Sequence, residues 1–318
     1  MSQFSFCFLD HITRVQSDEC LIIQKTMKLA YLTAHAVLNP DDKHCVEHNE
    51  HWRQVQSLTQ PLKERGIWLE SVVWNRPDID WNDYGAAVIG TTWDYHNQSE
   101  IFLAQIETIE RSGVPVFNSP SLVRWNLRKT YLRTLAEHGI PVIPTVWLDG
   151  PVVADDIRAA FETLSADRLV IKRQIGAGAA GQIVYHREDD ISDFPHAAMI
   201  QPFIRAIREE GEFSFIFIGG TFSHAVLKRP KSGDYRIQAT FGGVDMPITP
   251  TTRDLQSAER VLSALNEVPL YARIDMVRLE SGNLSLMELE LIEPFLYPGK
   301  TGRLGVLFAE ALLKQLNC

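Results

Sequence analysis

Two stretches decide the fold: Tyr271-Ala272-Arg273-Ile274-Asp275-Met276-Val277 and, after a turn at Ser281-Gly282-Asn283, Met287-Glu288-Leu289-Glu290-Leu291. Both read as strands, over 272–278 and 284–292, and the turn predicts a hairpin between them. Side chains alternate faces along a strand, so Glu288 and Glu290 share one face and Met287, Leu289 and Leu291 the other. The hairpin folds Asp275 back beside the two glutamates. Three carboxylates on one patch repel unless a cation sits between them. Oxygen-only ligands suit Mg²⁺, with Mn²⁺ as a substitute, held together with nucleotide phosphates. Arg273, two residues from Asp275 and on the same face, is a cation placed to meet a transferring phosphate or a developing oxyanion. The competing reading is an exposed acidic face on an acidic protein.

Upstream, 169–172 and 182–185 read as strands joined by a loop containing Gly176, Gly178 and Gly181. The glycines spell G-x-G-x-x-G, but a dinucleotide site needs a helix after them, and Gln182-Ile183-Val184-Tyr185 is β-rich. A nicotinamide-dependent oxidoreductase is therefore disfavoured. A protein kinase is excluded by the missing H-R-D-x-x-x-x-N and D-F-G, and a P-loop is absent. The loop reads either as a flexible hairpin turn or as a lid whose backbone amides approach phosphate oxygens. Lys172 at the strand end favours the lid. Further strands are expected over 198–201, 213–218 and 221–227, and helices over 155–164 and 307–315.

In the first third, strands over 29–33, 68–74, 86–90 and 114–117 alternate with helices over 51–65 and 99–111, which argues for a parallel, doubly wound sheet. Ligands bind beyond the carboxyl ends of such strands. The third strand ends in Gly90-Thr91-Thr92-Trp93-Asp94-Tyr95-His96, either a ligand loop or a solvated one with a packed Trp. A helical run follows from Ser119 and Pro120 to Glu137 and Gly139.

The chain has 318 residues, 45 % apolar and 22 % charged, with a formal charge of −9. That is globular composition, with length for about two structural lobes. The acid excess argues against a nucleic-acid or anionic-membrane partner, and no stretch has the length of a membrane span. Cys7, Cys20, Cys45 and Cys318 lack metal or redox spacing, which fits free thiols in a reducing cytoplasm. His44, His48 and His51 come closest to a histidine cluster but have no third ligand at metal spacing, and read as surface residues. Charges at Asp10, Arg14, Asp18, Glu19 and Lys25 interrupt any signal-like apolar run, so residues 1–26 are expected to be a loose extension before Met27.

Taken in order, these residues resemble the ATP-grasp superfamily, particularly the branch holding bacterial glutathione synthetase and D-alanine–D-alanine ligase. Arg273-Ile274-Asp275 looks like its R-x-D strand, and Glu288-x-Glu290, thirteen residues on, its metal-binding strand. Phe117-Asn118-Ser119-Pro120 with Lys129 resembles the opening of its ATP-binding lobe. Lys172 with the glycine loop is similar to its second lysine strand and lid. Gln201-Pro202-Phe203-Ile204, then Gly211-Glu212, resembles the adenine hinge and ribose-binding acid. Lys228 and Arg236, before Gly242-Gly243, sit where relatives have basic residues over phosphate and substrate. The likeness spans roughly 117–317. The Trp93-Asp94-Tyr95 loop and Trp125 are similar to a smaller subgroup that includes the cyclo-ligase of D-cycloserine biosynthesis.

The resemblance implies an ATP-grasp α/β fold: an N-terminal doubly wound lobe over 27–117, then α+β lobes over 118–200 and 201–318 that clamp ATP. It implies an ATP- and Mg²⁺-dependent carboxylate–amine ligase acting through an acylphosphate on a small amino-acid-like substrate. Lys129, Lys172, Gly176, Gly178, Gly181, Gln201, Phe203, Ile204 and Glu212 would bind ATP, and Asp275, Glu288 and Glu290 the metal. Arg273, Arg236 and Lys228 would be catalytic, and Trp93, Asp94 and Glu293 would face substrate. Two departures stand out: Glu290 replaces a common Asn, and Glu293-Pro294 stands where relatives carry Ser-Pro. Glu293 reads either as a partner for a cationic amine or as a solvated turn residue. Relatives are often dimers or tetramers, so a homo-oligomer is expected. The alternative function is a catalytically silent ATP-binding scaffold, which retention of all three acids disfavours.

Overall fold

The alternation of buried strands and amphipathic helices over 27–117 produces a parallel sheet in the computed structural model, which describes residues 26–41, 44–176, 178, 181–231, 236–299 and 302–317. The extension expected before Met27 lies, but for Thr26, outside the described residues. Strands β1 (Met27–Thr33), β2 (Ile67–Val73), β3 (Ala86–Thr91) and β4 (Val116–Phe117) pair in the order β2-β1-β3-β4. Helices α1 (His35–Leu38), α2 (Val46–Lys63) and α3 (Ser99–Arg111) connect them. Helix α3 has the bounds its sequence predicts. Helix α2 starts before the expected His51, because its polar first turn lacks the apolar spacing that marks the rest.

The inner stripe of α2 is His51, Gln54, Val55, Leu58 and Leu62. His51 is thus not a surface residue: it is fully buried, with Nδ1 2.6 Å from Thr91 Oγ1 and Nε2 3.3 Å from Ser71 Oγ. Burial, reinforced by neighbouring His48, lowers its pKa to about 4. The unfolded chain takes up this proton near the ordinary histidine value while the fold resists it. Stability is therefore lost as pH falls from about 6.5 to about 4, by up to about 3 kcal/mol. Urea unfolding across that range should show the loss in the wild type and a flatter profile in His51→Gln.

Helices α4 (Pro120–Asn126) and α5 (Tyr131–Glu137) follow. Sequence predicts one continuous run here, but it breaks at 127–130, and the break has a job. Asn126 and Tyr131 turn their side chains onto a later strand, and the Lys129 amide donates to the Gln174 carbonyl at 2.8 Å. Ser119 caps α4, its Oγ accepting from the Leu122 amide at 3.1 Å.

A second, antiparallel sheet pairs β5 (Val146–Leu148), β6 (Arg168–Arg173), β7 (Ile183–His186) and β8 (Ala198–Pro202) in the order β5-β8-β6-β7, with α6 (Ala154–Thr163) packed against it. After the short α7 (Ala206–Glu209) comes a third sheet. It comprises β9 (Glu212–Ile218), β10 (Thr221–Arg229), β11 (Val244–Ile248), β12 (Tyr271–Arg278) and β13 (Leu284–Glu290), ordered β11-β10-β9-β12-β13. Helices α8 (Thr252–Ser263) and α9 (Arg303–Leu316) complete the chain. One face of this sheet, including Phe213, Phe215, Leu227, Ile274, Met276 and Leu289, packs with Leu122, Tyr131, Leu132 and Leu135 of α4 and α5. Helix α9 crosses back onto α2. Gly305 sits so close that a Cβ there would lie 2.1 Å from the Ser57 carbonyl oxygen, so only glycine fits.

Side chains outside the third sheet finish the hydrogen bonding of β13. Asn126 donates to the Leu289 carbonyl at 2.9 Å and accepts from the Leu291 amide at 3.1 Å. The Leu289 amide donates to the Tyr131 hydroxyl at 3.0 Å. Asn118 donates to the Leu291 and Tyr271 carbonyls at 2.8 and 2.9 Å and accepts from the Leu270 amide at 2.6 Å.

Candidate active site

The polar face of the third sheet is built by register. Asp275 pairs with Glu288 and Arg273 with Glu290 across β12 and β13, Asp275 with Ser214 across β12 and β9, and Lys228 with Glu212 across β10 and β9. The expected hairpin is present, with one correction. The pairing slips between Asp275 and Met276, and Met287 is only half-buried and stays out of the apolar core that takes Leu289. A β-bulge re-aims side chains in this way.

The cavity, about 470 Å³, lies where the three sheets face one another. That is the size of a small-molecule site. Lys129, Lys172, Gly176, Gly178, Gln201, Phe203, Ile204 and Glu212 line it, as do Lys228, Arg236, Arg273, Asp275, Glu288, Glu290, Glu293 and Trp93. Two expected residues do not: Gly181, at φ +71°, and Asp94, whose carboxylate accepts from the Trp74 indole at 2.8 Å. Asp94 fastens the Trp93 loop instead.

Charge is paired unevenly around this space. Asp275 accepts from Ser214, from Arg273 Nε at 3.1 Å and Nη2 at 3.0 Å, and lies 3.2 Å from Lys228 Nζ. Burial raises its pKa, but Arg273 and Lys228 outweigh burial and hold it at about 2. Glu288 pairs with Lys129, Glu290 with Arg273 and Glu212 with Lys228. Burial pushes Glu212 to about 7 against the pull of Lys228, and Glu290 to about 7 against that of Arg273. The acids and bases thus neutralise one another, where sequence predicted repulsion. Lys172 differs: among the described residues it has no ion pair, and burial lowers its pKa. Arg236 stacks on Phe241, 3.8 Å from the ring centre, and Arg168 stacks likewise on Phe203.

Among the described residues, four buried polar atoms on cavity residues lack partners: Arg173 Nε, His96 Nδ1, Glu212 Oε2 and Gln238 Oε1. Such atoms are rare in native interiors and mark where a polar ligand belongs. Asp275, Glu288 and Glu290 supply the hard oxygen donors a Mg²⁺ ion prefers, and Asp275 and Glu288 are both held ionised. Among the described residues, however, no three acidic, His or Cys groups converge as a preformed metal centre. The donor set fits an ion that arrives on nucleotide phosphates.

Sequence reasoning missed several lining residues: Glu47 and Glu50 of α2, Arg173, and Tyr297 at φ +47°. Arg273 and Lys228 lie over the Tyr297 ring, 5.7 and 6.0 Å from its centre. Only Arg173 had a local signal, its place beside Lys172.

Residues 29–118 match the family described as the N-terminal domain of the D-cycloserine synthetase DcsG. Over 289 residues the chain is 28 % identical to the cycloserine biosynthesis protein DcsG of Streptomyces lavendulae, covering 82 % of this chain and 93 % of that protein. The crystal structure of D-cycloserine synthetase DcsG superposes with a TM-score of 0.76 at 24 % identity, covering 91 % and 99 % of the two chains. D-alanine–D-alanine ligase from Bacillus anthracis complexed with ATP gives 0.63 at 14 % identity, covering 92 % and 99 %. The ATP-grasp ligase PsnB, complexed with minimal precursor, Mg and ADP, gives 0.58 at 15 %, covering 91 % and 98 %.

Proposed function

We propose that this chain, a member of the ATP-grasp superfamily, is an ADP-forming ligase that joins a carboxylate to an amine on a small amino-acid-like substrate. The observation that carries this reading is the polar face of the third sheet. There Asp275, Glu288 and Glu290 lie among Arg273, Lys228 and Lys129 in one cavity with Lys172.

Lys129 and Lys172 neutralise phosphate charge, Lys172 being the one of the two with no ion pair among the described residues. Backbone groups near Gln201, Phe203 and Ile204 receive the base, and the free Oε2 of Glu212 is placed to accept from a ribose hydroxyl. Asp275, Glu288 and Glu290 would hold Mg²⁺, which supplies further neutralisation of phosphate charge. A substrate carboxylate oxygen attacks the γ-phosphorus, the bond to the ADP oxygen breaks, and an acylphosphate forms. The amine then attacks the acyl carbon, the carbon–oxygen bond breaks, phosphate leaves and the nitrogen gives up its proton. Arg273, aided by Lys228 and Arg236, stabilises the charge of both steps. The loop bearing Gly176 and Gly178 keeps water from the acylphosphate. Catalysis is positioning and electrostatics and needs no side-chain nucleophile. Among the described residues no helix is long and apolar enough to cross a membrane. A cytoplasmic reaction is part of this reading because the cysteines lack disulfide or metal spacing.

The test is ADP and phosphate release from ATP with Mg²⁺, against pools of amino acids and small carboxylates. Release that depends on a pool is expected, and that pool names the substrate class. Absence of nucleotide binding would overturn the reading. Tight binding with no release from any pool would point to a silent scaffold.

A further inference from the structure

Among the described residues, two other than glycine hold a left-handed backbone, Ser165 and Tyr297, both at φ +47°. Ser165 has a local cause. It follows the last turn of α6, where chains commonly turn left-handed to end a helix, and its amide donates to the Glu162 carbonyl at 3.1 Å. Tyr297 ends no helix, and it precedes Pro298, which restricts its backbone further. A bulky side chain in this region is costly and persists only where its surroundings hold it.

Three elements do hold it. From α2, Gln54 Oε1 accepts from the Leu296 amide at 2.6 Å and Gln54 Nε2 donates to the Pro294 carbonyl at 3.4 Å. From β10, His224 Nε2 donates to the Tyr297 carbonyl at 2.9 Å. From β12, Arg273 Nη1 donates to the Phe295 carbonyl at 3.1 Å. The Phe295 ring meets the Tyr297 ring edge to face, with 4.9 Å between centres. All this fixes one ring on the cavity wall, with Arg273 and Lys228 at 5.7 and 6.0 Å from its centre. The two cations also share Asp275, which lies within 3.2 Å of both. Each has a further acid of its own, Glu290 for Arg273 and Glu212 for Lys228. Those acids stand on β13 and β9, on opposite flanks of β12, and draw the cations apart, as does their mutual repulsion. Asp275 and the electron-rich face of Tyr297 hold them together.

We propose that Tyr297 is a positioning residue of this enzyme: its ring, carried on a left-handed backbone, keeps Arg273 and Lys228 converged so that they stabilise the developing charge as a pair. The proposal rests on the ligase reading and adds a residue to its machinery. The ring face does this, and the hydroxyl is not required.

The test is phosphate release by the full chain with ATP and Mg²⁺, using the amino acid or small carboxylate that stimulates the wild type. A thermal melt and the affinity for a fluorescent ATP analogue are measured beside it. Tyr297→Leu keeps bulk and removes the aromatic face. It should lower kcat about thirtyfold, with KM for ATP and nucleotide affinity within about threefold of wild type. Tyr297→Phe restores the ring and should recover at least about tenfold of that loss. If the Leu variant fails to fold, Tyr297→Asn decides, because asparagine tolerates a left-handed backbone, and the same loss of kcat is expected from it. A Phe variant as slow as Leu, a loss that falls on nucleotide affinity instead of kcat, or ringless variants within about threefold of wild-type kcat would overturn the proposal. A wild type that releases phosphate with no added compound of either pool is a different result, and counts against the ligase reading.

Discussion

Asp275→Asn should lower substrate-dependent phosphate release about a thousandfold, a loss of about 4 kcal/mol of transition-state stabilisation. The substitution keeps the shape of a buried side chain and removes its charge. Arg273 and Lys228 both lean on that charge, Arg273 through contacts of 3.0 and 3.1 Å and Lys228 at 3.2 Å. Without it, Glu212 and Glu290 remain as their counter-charges, and burial raises the pKa of each toward neutrality. Arg273 is then free to swing from where the proposed reaction develops charge, and one of the three acids proposed to hold Mg²⁺ is gone. Breaking a buried ion pair also costs about 3–5 kcal/mol of stability. Activity must therefore be read beside a thermal melt and the affinity for a fluorescent ATP analogue. A folded variant within tenfold of wild-type turnover would remove Asp275 from the mechanism.

The second large effect is on stability. Asn118 is 2 % exposed and serves three backbone groups at once, the Tyr271 and Leu291 carbonyls and the Leu270 amide. Asn118→Ala leaves all three buried without partners. At about 1–3 kcal/mol for each such group, the expected loss is about 3–9 kcal/mol, enough to leave a marginal protein largely unfolded at physiological temperature. Asn118→Asp keeps the acceptor for Leu270 but loses both donors, and should fall between. Chemical denaturation measures all three proteins. Because Asn118 follows β4 of the first sheet and grips β12 of the third, unfolding of the variant should lower the fluorescence transitions of both lobes together. A loss below about 1 kcal/mol would mean that water replaces the amide.

What sequence made legible was whatever depends on short-range periodicity. The acids of β12 and β13, their hairpin and their shared face follow from the two-residue period of a strand, and α3 follows from its apolar spacing. The rest needed tertiary placement. The pairing of Lys228 with Glu212 depends on the register of β9 against β10. Glu47 and Glu50 belong to a polar helix turn that looks like solvent-facing surface until Gln54 is seen to hold α2 against residues 294–296. His51 reads as an exposed member of a histidine group, yet lies under Thr91 and Ser71. Helix α8 and the short β5 and β11 went unforeseen. β11 carries Asp245 and Pro247, which ordinarily argue against a strand, and it lies at the sheet's edge, where proline is tolerated.

The side chains that dock onto β13 have a consequence for the protein at high concentration. β13 closes the third sheet, and a closing strand with open amides and carbonyls is a template on which another chain can add. Here Asn118, Asn126 and Tyr131 occupy those groups from within the same molecule. At the opposite border, Pro247 removes a donor from β11. The five-stranded sheet is therefore stopped at one border and blunted at the other, and the carboxylate-bearing strand is kept out of intermolecular β-pairing.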